Sequence, residues 1–188
     1  MERLIATKFH IPQVRKELVP RKRLVDLLNN GSDSKLTLVS APAGYGKTTL
    51  VSRWVRNLEL TGNKIRNPDE IAWLSLDEGD NDLERFLAYF ITAINQAMKG
   101  NGNIGGGALQ MLQSSQPPPM ETILTSLVND VVGVPNKIIV ILDDYHNLDS
   151  QSVDDALIFF FKRMTLQMRL VIITRNDPKI PQSTSLDR

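Results

Sequence analysis

Two rhythms of apolar residues alternate along the chain. Four short runs are apolar on consecutive positions: Leu36-Thr37-Leu38-Val39-Ser40, Ile71-Ala72-Trp73-Leu74-Ser75-Leu76, Lys137-Ile138-Ile139-Val140-Ile141-Leu142 and Arg169-Leu170-Val171-Ile172-Ile173-Thr174. Strands covered on both faces read this way, because neither face needs polar side chains. Between them, apolar residues recur at helical spacing. Helices are predicted over residues 47–60, 83–98, 120–132 and 153–164, the second with Phe86, Leu87, Phe90, Ile91 and Ile94 on one face. Strands separated by helices predict an α/β fold with a mostly parallel sheet.

The remaining segments are read from their turn residues. Residues 1–20 carry Pro12 and Pro20 and read as an extended arm. Pro20 suits a helix start; Leu24, Leu27 and Leu28 share one face of that helix, and Gly31 closes it. Gly62-Asn63 and Asn67-Pro68 mark a loop. Residues 100–107 and 114–119 are rich in glycine or proline and are expected to be mobile loops, joined by a short helix around Leu109–Leu112. The tail from Asn176 has two prolines and little apolar content.

Composition narrows the class. With 188 residues and 41% hydrophobic content, the chain suits one domain with a real core. A net charge of +1 gives no bulk attraction to nucleic acid or to a membrane. No cysteine is present, which excludes a disulfide framework and thiolate metal sites. Met1-Glu2-Arg3-Leu4 opens no long apolar region, and no run approaches transmembrane length, so a cytoplasmic location is expected.

The first strand runs into Ala41-Pro42-Ala43-Gly44-Tyr45-Gly46-Lys47-Thr48-Thr49, and a helix follows at once. This meets the pattern G-x-x-x-x-G-K-[ST] everywhere but the first place, where Ala41 stands for glycine. Successive N–H groups in such a loop form a nest for a triphosphate, and the helix N-terminus adds positive potential. Gly44 and Gly46 take backbone angles closed to other residues. Lys47 reaches the outer phosphates, and the Thr48 hydroxyl suits Mg²⁺. Ala41 carries a Cβ, so it is expected at negative φ.

The third strand ends in Asp143-Asp144. After a phosphate loop, an aspartate there helps hold Mg²⁺, and a second acid orients or activates water. Asp143 is the metal candidate and Asp144 the water candidate. Arg175 ends the fourth strand and is expected to point toward the γ-phosphate, since ligands of open α/β sheets bind beyond the carboxyl ends of the strands. His146 reads as a hydrogen bonder behind the acids and His10 as a surface or packing residue. The acids of Asp77–Asp82 read as a solvated turn.

Motifs spanning nearly the whole chain resemble the ATP-binding domain of the MalT-like, large LuxR-type transcription regulators, which belong to the STAND class of P-loop ATPases. They are Thr7–Pro12, Leu18–Leu24, Ala41–Thr49, Trp73–Asp82, Gln116–Pro119, Leu142–His146 and Thr174–Pro178. The Trp73–Asp82 and Leu142–His146 segments are far more specific than the phosphate loop. The resemblance implies a P-loop fold with strand order 5-1-4-3-2, the fifth strand missing here and the first left at an edge. It implies an arm and helix over residues 1–34 on the base side of the nucleotide, an ATPase core over 35–178 and a truncated tail over 179–188.

The resemblance also implies ATP/ADP and Mg²⁺ as cofactors. Ala43, Gly44, Tyr45, Gly46, Lys47, Thr48 and Thr49 hold the phosphates, and Val19 and Arg21 lie near the adenine. Thr48 and Asp143 hold the metal, Asp144 and Lys47 serve hydrolysis, and Arg175 senses the γ-phosphate. Such regulators use ATP in an on/off switch with self-association. They are several times longer and reach DNA through a C-terminal helix-turn-helix, so this chain is expected to be a fragment without it. The leading expectation is a slowly hydrolysing ATP switch; a P-loop small-molecule kinase and a nucleotide-sensing scaffold without turnover are the alternatives.

Overall fold

The computed structural model describes residues 4–13, 21–31, 34–60, 71–98, 102–134, 137–165 and 167–176, with the side chains of 59 and 60 excepted. The strands are β1 (Leu36–Ser40), β2 (Ile71–Ser75), β3 (Ile138–Asp143) and β4 (Met168–Thr174). All pair in parallel, in the order β1-β4-β3-β2. The helices are α1 (Lys22–Asn30), α2 (Lys47–Leu60), α3 (Leu83–Ala97), α4 (Gly106–Leu112), α5 (Met120–Val132) and α6 (Gln151–Arg163). This is the α/β P-loop fold, with the strand order expected of it.

The central strands show why their runs lack polar alternation. Ile138, Val140, Leu142, Leu170 and Ile172 enter one core with α3, α4, α5 and α6. Ile139, Ile141, Val171 and Ile173, the intervening residues, enter a second core with α1 and α2. Both faces are dry, so the positions between the polar residues at the strand ends are apolar. Phe90 of α3 meets Phe160 of α6 edge-on at 4.9 Å, a favoured aromatic geometry. On the other face Trp54 of α2 is buried, and its Nε1 donates to Asn29 Oδ1 at 2.9 Å, which docks α1. Arg169 reaches the same place from β4, donating to the Leu28 carbonyl at 2.9 Å.

Three expectations need correction. The described part of the arm is not merely extended: Ala6–Phe9 form a 3-10 turn, and Lys8 is buried. The Asp77–Asp82 turn is not simply solvated, for Asp80 is fully buried on that lysine. The glycines at 105 and 106 are packed rather than looped out, and α4 begins three residues earlier than expected. Gly105 sits at φ +78, its N–H donates to Asp130 Oδ2 at 2.9 Å, and an added Cβ would lie 2.9 Å from Ile91. Only glycine satisfies both the angle and the space. Gly31 does close α1, though at φ −77 and not in the left-handed form. The loop at 62–68, Val19 and the tail beyond Asn176 lie outside the described residues.

Candidate functional site

Residues 41–46 join the end of β1 to the start of α2. Gly44 and Gly46 sit at φ +81 and +69, so the two glycines make the turn that other residues resist. Ala41 is not among the residues with positive φ, and its N–H donates to the Thr174 carbonyl at 3.4 Å, tying the loop to the end of β4. Lys47 Nζ donates to the Ala41 carbonyl at 2.7 Å and to the Pro42 carbonyl at 3.1 Å. The ammonium therefore lies folded within the loop, on neutral oxygens that an anion would displace.

The opposite wall comes from β3. Thr48 Oγ1 donates to Asp143 Oδ1 at 2.9 Å, joining the start of α2 to the end of a strand that is not its neighbour. Asp143 is buried, and burial pushes its pKa up to about 6; the charge of Asp144 adds to the rise, while the Thr48 hydroxyl, the Asp144 amide and Lys47 oppose it. Asp144 differs in kind. Its φ is +57, the only positive value for a non-glycine residue among those described, and its N–H donates to Asp143 Oδ1 at 3.0 Å. Its carboxylate stays half exposed.

His146 Nδ1 lies 3.8 Å from Asp144 Oδ1, beyond a hydrogen bond. Its pKa is lowered, first by burial and then by the Arg175 charge, with Lys47 adding to the effect and Asp144 opposing it. Arg175 itself is exposed just past β4. Tyr145, next to the acids, donates its hydroxyl to the buried Asp154 of α6 at 2.5 Å. Among the described residues no cluster of three or more His, Cys, Asp or Glu could hold a metal. The donor set at Thr48 and Asp143 is instead one hydroxyl and one carboxylate, which fits a hard cation that keeps most of its ligands as water or phosphate.

On the other side of the loop, Arg21 Nη1 donates to the Tyr45 carbonyl at 2.7 Å, so the residue just before α1 grips the turn. A cavity of about 290 Å³ opens there, lined by Arg21, Val25, Gly44, Gly46, Thr49, Leu50 and Arg53. A larger cavity of about 710 Å³ lies between the arm and β2 and touches no residue of the phosphate loop. Ala43 and Tyr45 are exposed at the loop tip.

The family model of Nephrocystin 3, N-terminal, matches residues 15–175. The chain belongs to that family. The chain is also 33% identical over 177 residues to the HTH-type transcriptional regulator MalT of Klebsiella pneumoniae, and equally so to that of Cronobacter sakazakii. Each match takes in 94% of this chain and 18% of the relative, so the chain spans less than a fifth of the length of these curated relatives. This bears out the resemblance to the MalT-like regulators. Among solved structures, Cdc6p from Pyrobaculum aerophilum superposes with a TM-score of 0.53 at 19% identity, covering 93% of this chain and 44% of the other. That likeness supports the fold of this Nephrocystin 3 N-terminal family member.

Proposed function

We propose that this chain is the ATP-binding, slowly hydrolysing switch domain of a MalT-like transcription regulator. The observation that carries the reading is the Thr48–Asp143 hydrogen bond, which brings a phosphate-loop hydroxyl onto a buried strand-end carboxylate. In this reading the N–H groups of residues 43–49 and the Lys47 ammonium bind the phosphates. Thr48 and Asp143 hold Mg²⁺, which supplies neutralisation of phosphate charge. Asp144, half exposed beside them, orients the attacking water and accepts its proton. Arg175 meets the terminal phosphate. Arg21 stands on the base side with the 290 Å³ cavity, and Val19 is assigned there from the resemblance alone.

The protein does little covalent work in such a reaction; positioning and charge do most of it. The regulator's DNA contact and self-association are assigned to the longer protein, as the resemblance to the MalT-like regulators implies, and its place to the cytoplasm. Among the described residues no helix is long and apolar enough to cross a membrane.

Calorimetric titration with ATP, ADP and GTP, with and without Mg²⁺, tests the reading. Adenine nucleotides should bind, and Lys47→Ala should weaken ATP by about 100-fold or more, as expected for loss of a charge-assisted phosphate contact. Equal affinity of Lys47→Ala and the native chain would overturn it. Release of phosphate by the native chain but not by Asp144→Asn separates the switch from a scaffold without turnover.

A further inference from the structure

Asp144 holds a left-handed backbone, at φ +57, that an aspartate adopts only at some cost. Such a conformation persists where its surroundings over-determine it. Those surroundings run through a series of hydrogen bonds, joined at one point by the peptide link between Asp80 and Asn81, and end at the N-terminal arm.

The turn after Asp144 closes on itself, with the Asn147 N–H on the Asp144 carbonyl at 3.0 Å. It is then bound sideways to the turn after β2. Asn147 Nδ2 donates to the Leu76 carbonyl at 3.0 Å, and the Leu76 N–H donates to the Asp143 carbonyl at 3.0 Å. Asn81 works from the other side: its Oδ1 accepts the Asp149 N–H at 2.6 Å, and its Nδ2 lies 3.3 Å from the Asn147 carbonyl and 2.9 Å from that of Glu78. Asn81 follows Asp80, whose Oδ2 accepts the Asp77 N–H at 2.9 Å. Asp80 is fully buried, and Lys8 lies on it at 2.5 Å and also reaches Asp77 at 2.9 Å, while Arg85 Nε is a longer contact to Asp80 at 3.5 Å. Lys8 is held in turn by the Tyr89 ring, 4.4 Å from its Nζ, while Ile5 N–H donates to the Tyr89 hydroxyl at 3.1 Å.

We propose that Lys8 is a positioning residue for Asp144, acting through Asp80, Asn81 and Asn147 to hold the turn that aims its carboxylate. The arm is thus part of the site's framework, through contacts to the turn after β2. The proposal rests on the ATP-switch reading for its kinetic consequence and on the hydrogen-bond series alone for its structural one.

Hydrogen exchange of the nucleotide-free chain, followed by mass spectrometry over residues 143–149, tests the structural part. Asn81→Ala should speed exchange there by about tenfold while the Ile5 and Lys8 amides stay as protected as in the native chain, because only the link is cut. Lys8→Met should speed both segments, and Lys8→Arg should restore both. If Lys8→Met does not fold, Asn81→Ala decides. With ATP and Mg²⁺, both loosened variants should lose about tenfold in kcat, roughly 1.4 kcal/mol, while KM stays within about threefold. Exchange over 143–149 within twofold of native in Asn81→Ala would overturn the proposal, whatever the nucleotide chemistry. A native chain that neither binds nor cleaves ATP would overturn the ATP-switch reading and leave the exchange result to stand or fall by itself.

Discussion

Two neighbouring strands, β2 and β3, each end in a run of acids, and the two ends have opposite fates. At β2 the buried carboxylate of Asp80 is met by the Lys8 ammonium, with Arg85 a further 3.5 Å contact. At β3 the buried carboxylate of Asp143 meets, among the described residues, a hydroxyl and an amide, and burial leaves its pKa raised to about 6. Lys47, the nearest cation in the loop, is turned onto carbonyls. One acidic end is therefore saturated by the protein itself, and the other keeps a demand for positive charge. The lesson is that a strand-end acid becomes a cation site through what is withheld from it. Similar local sequences give a structural clamp in one case and a candidate metal wall in the other.

Breaking the saturated end should have the largest effect. Lys8→Ala leaves Asp80 buried without its main partner and should cost about 3–5 kcal/mol in chemical denaturation, as for other buried pairs broken on one side. A loss below about 1 kcal/mol would mean that Arg85 or water suffices.

The unsaturated end should respond with the opposite sign. A carboxyl whose folded pKa lies above its unfolded value favours folding below the unfolded pKa, near 4, and loses that advantage as pH rises through about 6. Asp143→Asn removes the buried charge and keeps an acceptor for Thr48. In metal-free buffer at pH 8 it should stabilise the chain by about 3 kcal/mol, with most of the gain gone by pH 4. Thermal melts across that range check it; a destabilised variant at pH 8 would show that the ionised carboxylate is better solvated than its burial implies.

The smallest effect belongs to Asp77. Burial works to raise its pKa, but the Lys8 hydrogen bond and charge, the Gly79 amide and Arg85 outweigh it and hold the pKa below the ordinary value. A lowered carboxylate stabilises above its unfolded pKa, and that contribution fades as pH falls below about 4. Because Asp77 is half exposed, Asp77→Asn should cost less than about 1 kcal/mol at pH 7 and nothing measurable at pH 2. Urea titrations at the two pH values separate the cases.

The comparison also marks what the chain's letters disclose. Strand limits were legible to within about one residue because each strand is apolar on both faces and bounded by turn residues, a purely local signal. The β1-loop-α2 unit was legible for the same reason, and Thr48 and Asp143, read from separate motifs, meet at 2.9 Å. The clamp at β2 was not legible. Its cation lies 72 residues from its anion, in a segment whose prolines suggest no docking, and nothing in the acids of Asp77–Asp82 tells a clamp from a solvated turn. The packed glycines at 105 and 106 were hidden by composition: glycine marks loose loops and tight fits alike, and only the Ile91 contact distinguishes them. Asn81 and Asn147 carried no separate signal, since a turn asparagine more often bonds its own backbone.

The Thr48–Asp143 contact spans from the element after β1 to β3, with β4 lying between. The width of the candidate site is thus two inter-strand steps, roughly 10 Å. That span is fixed by main-chain ladders, whose spacing is indifferent to which aliphatic residues decorate β4. Leucine, valine and isoleucine can trade places along that strand without moving the two walls apart, so evolution can retune the interior while the gauge of the cleft stays constant.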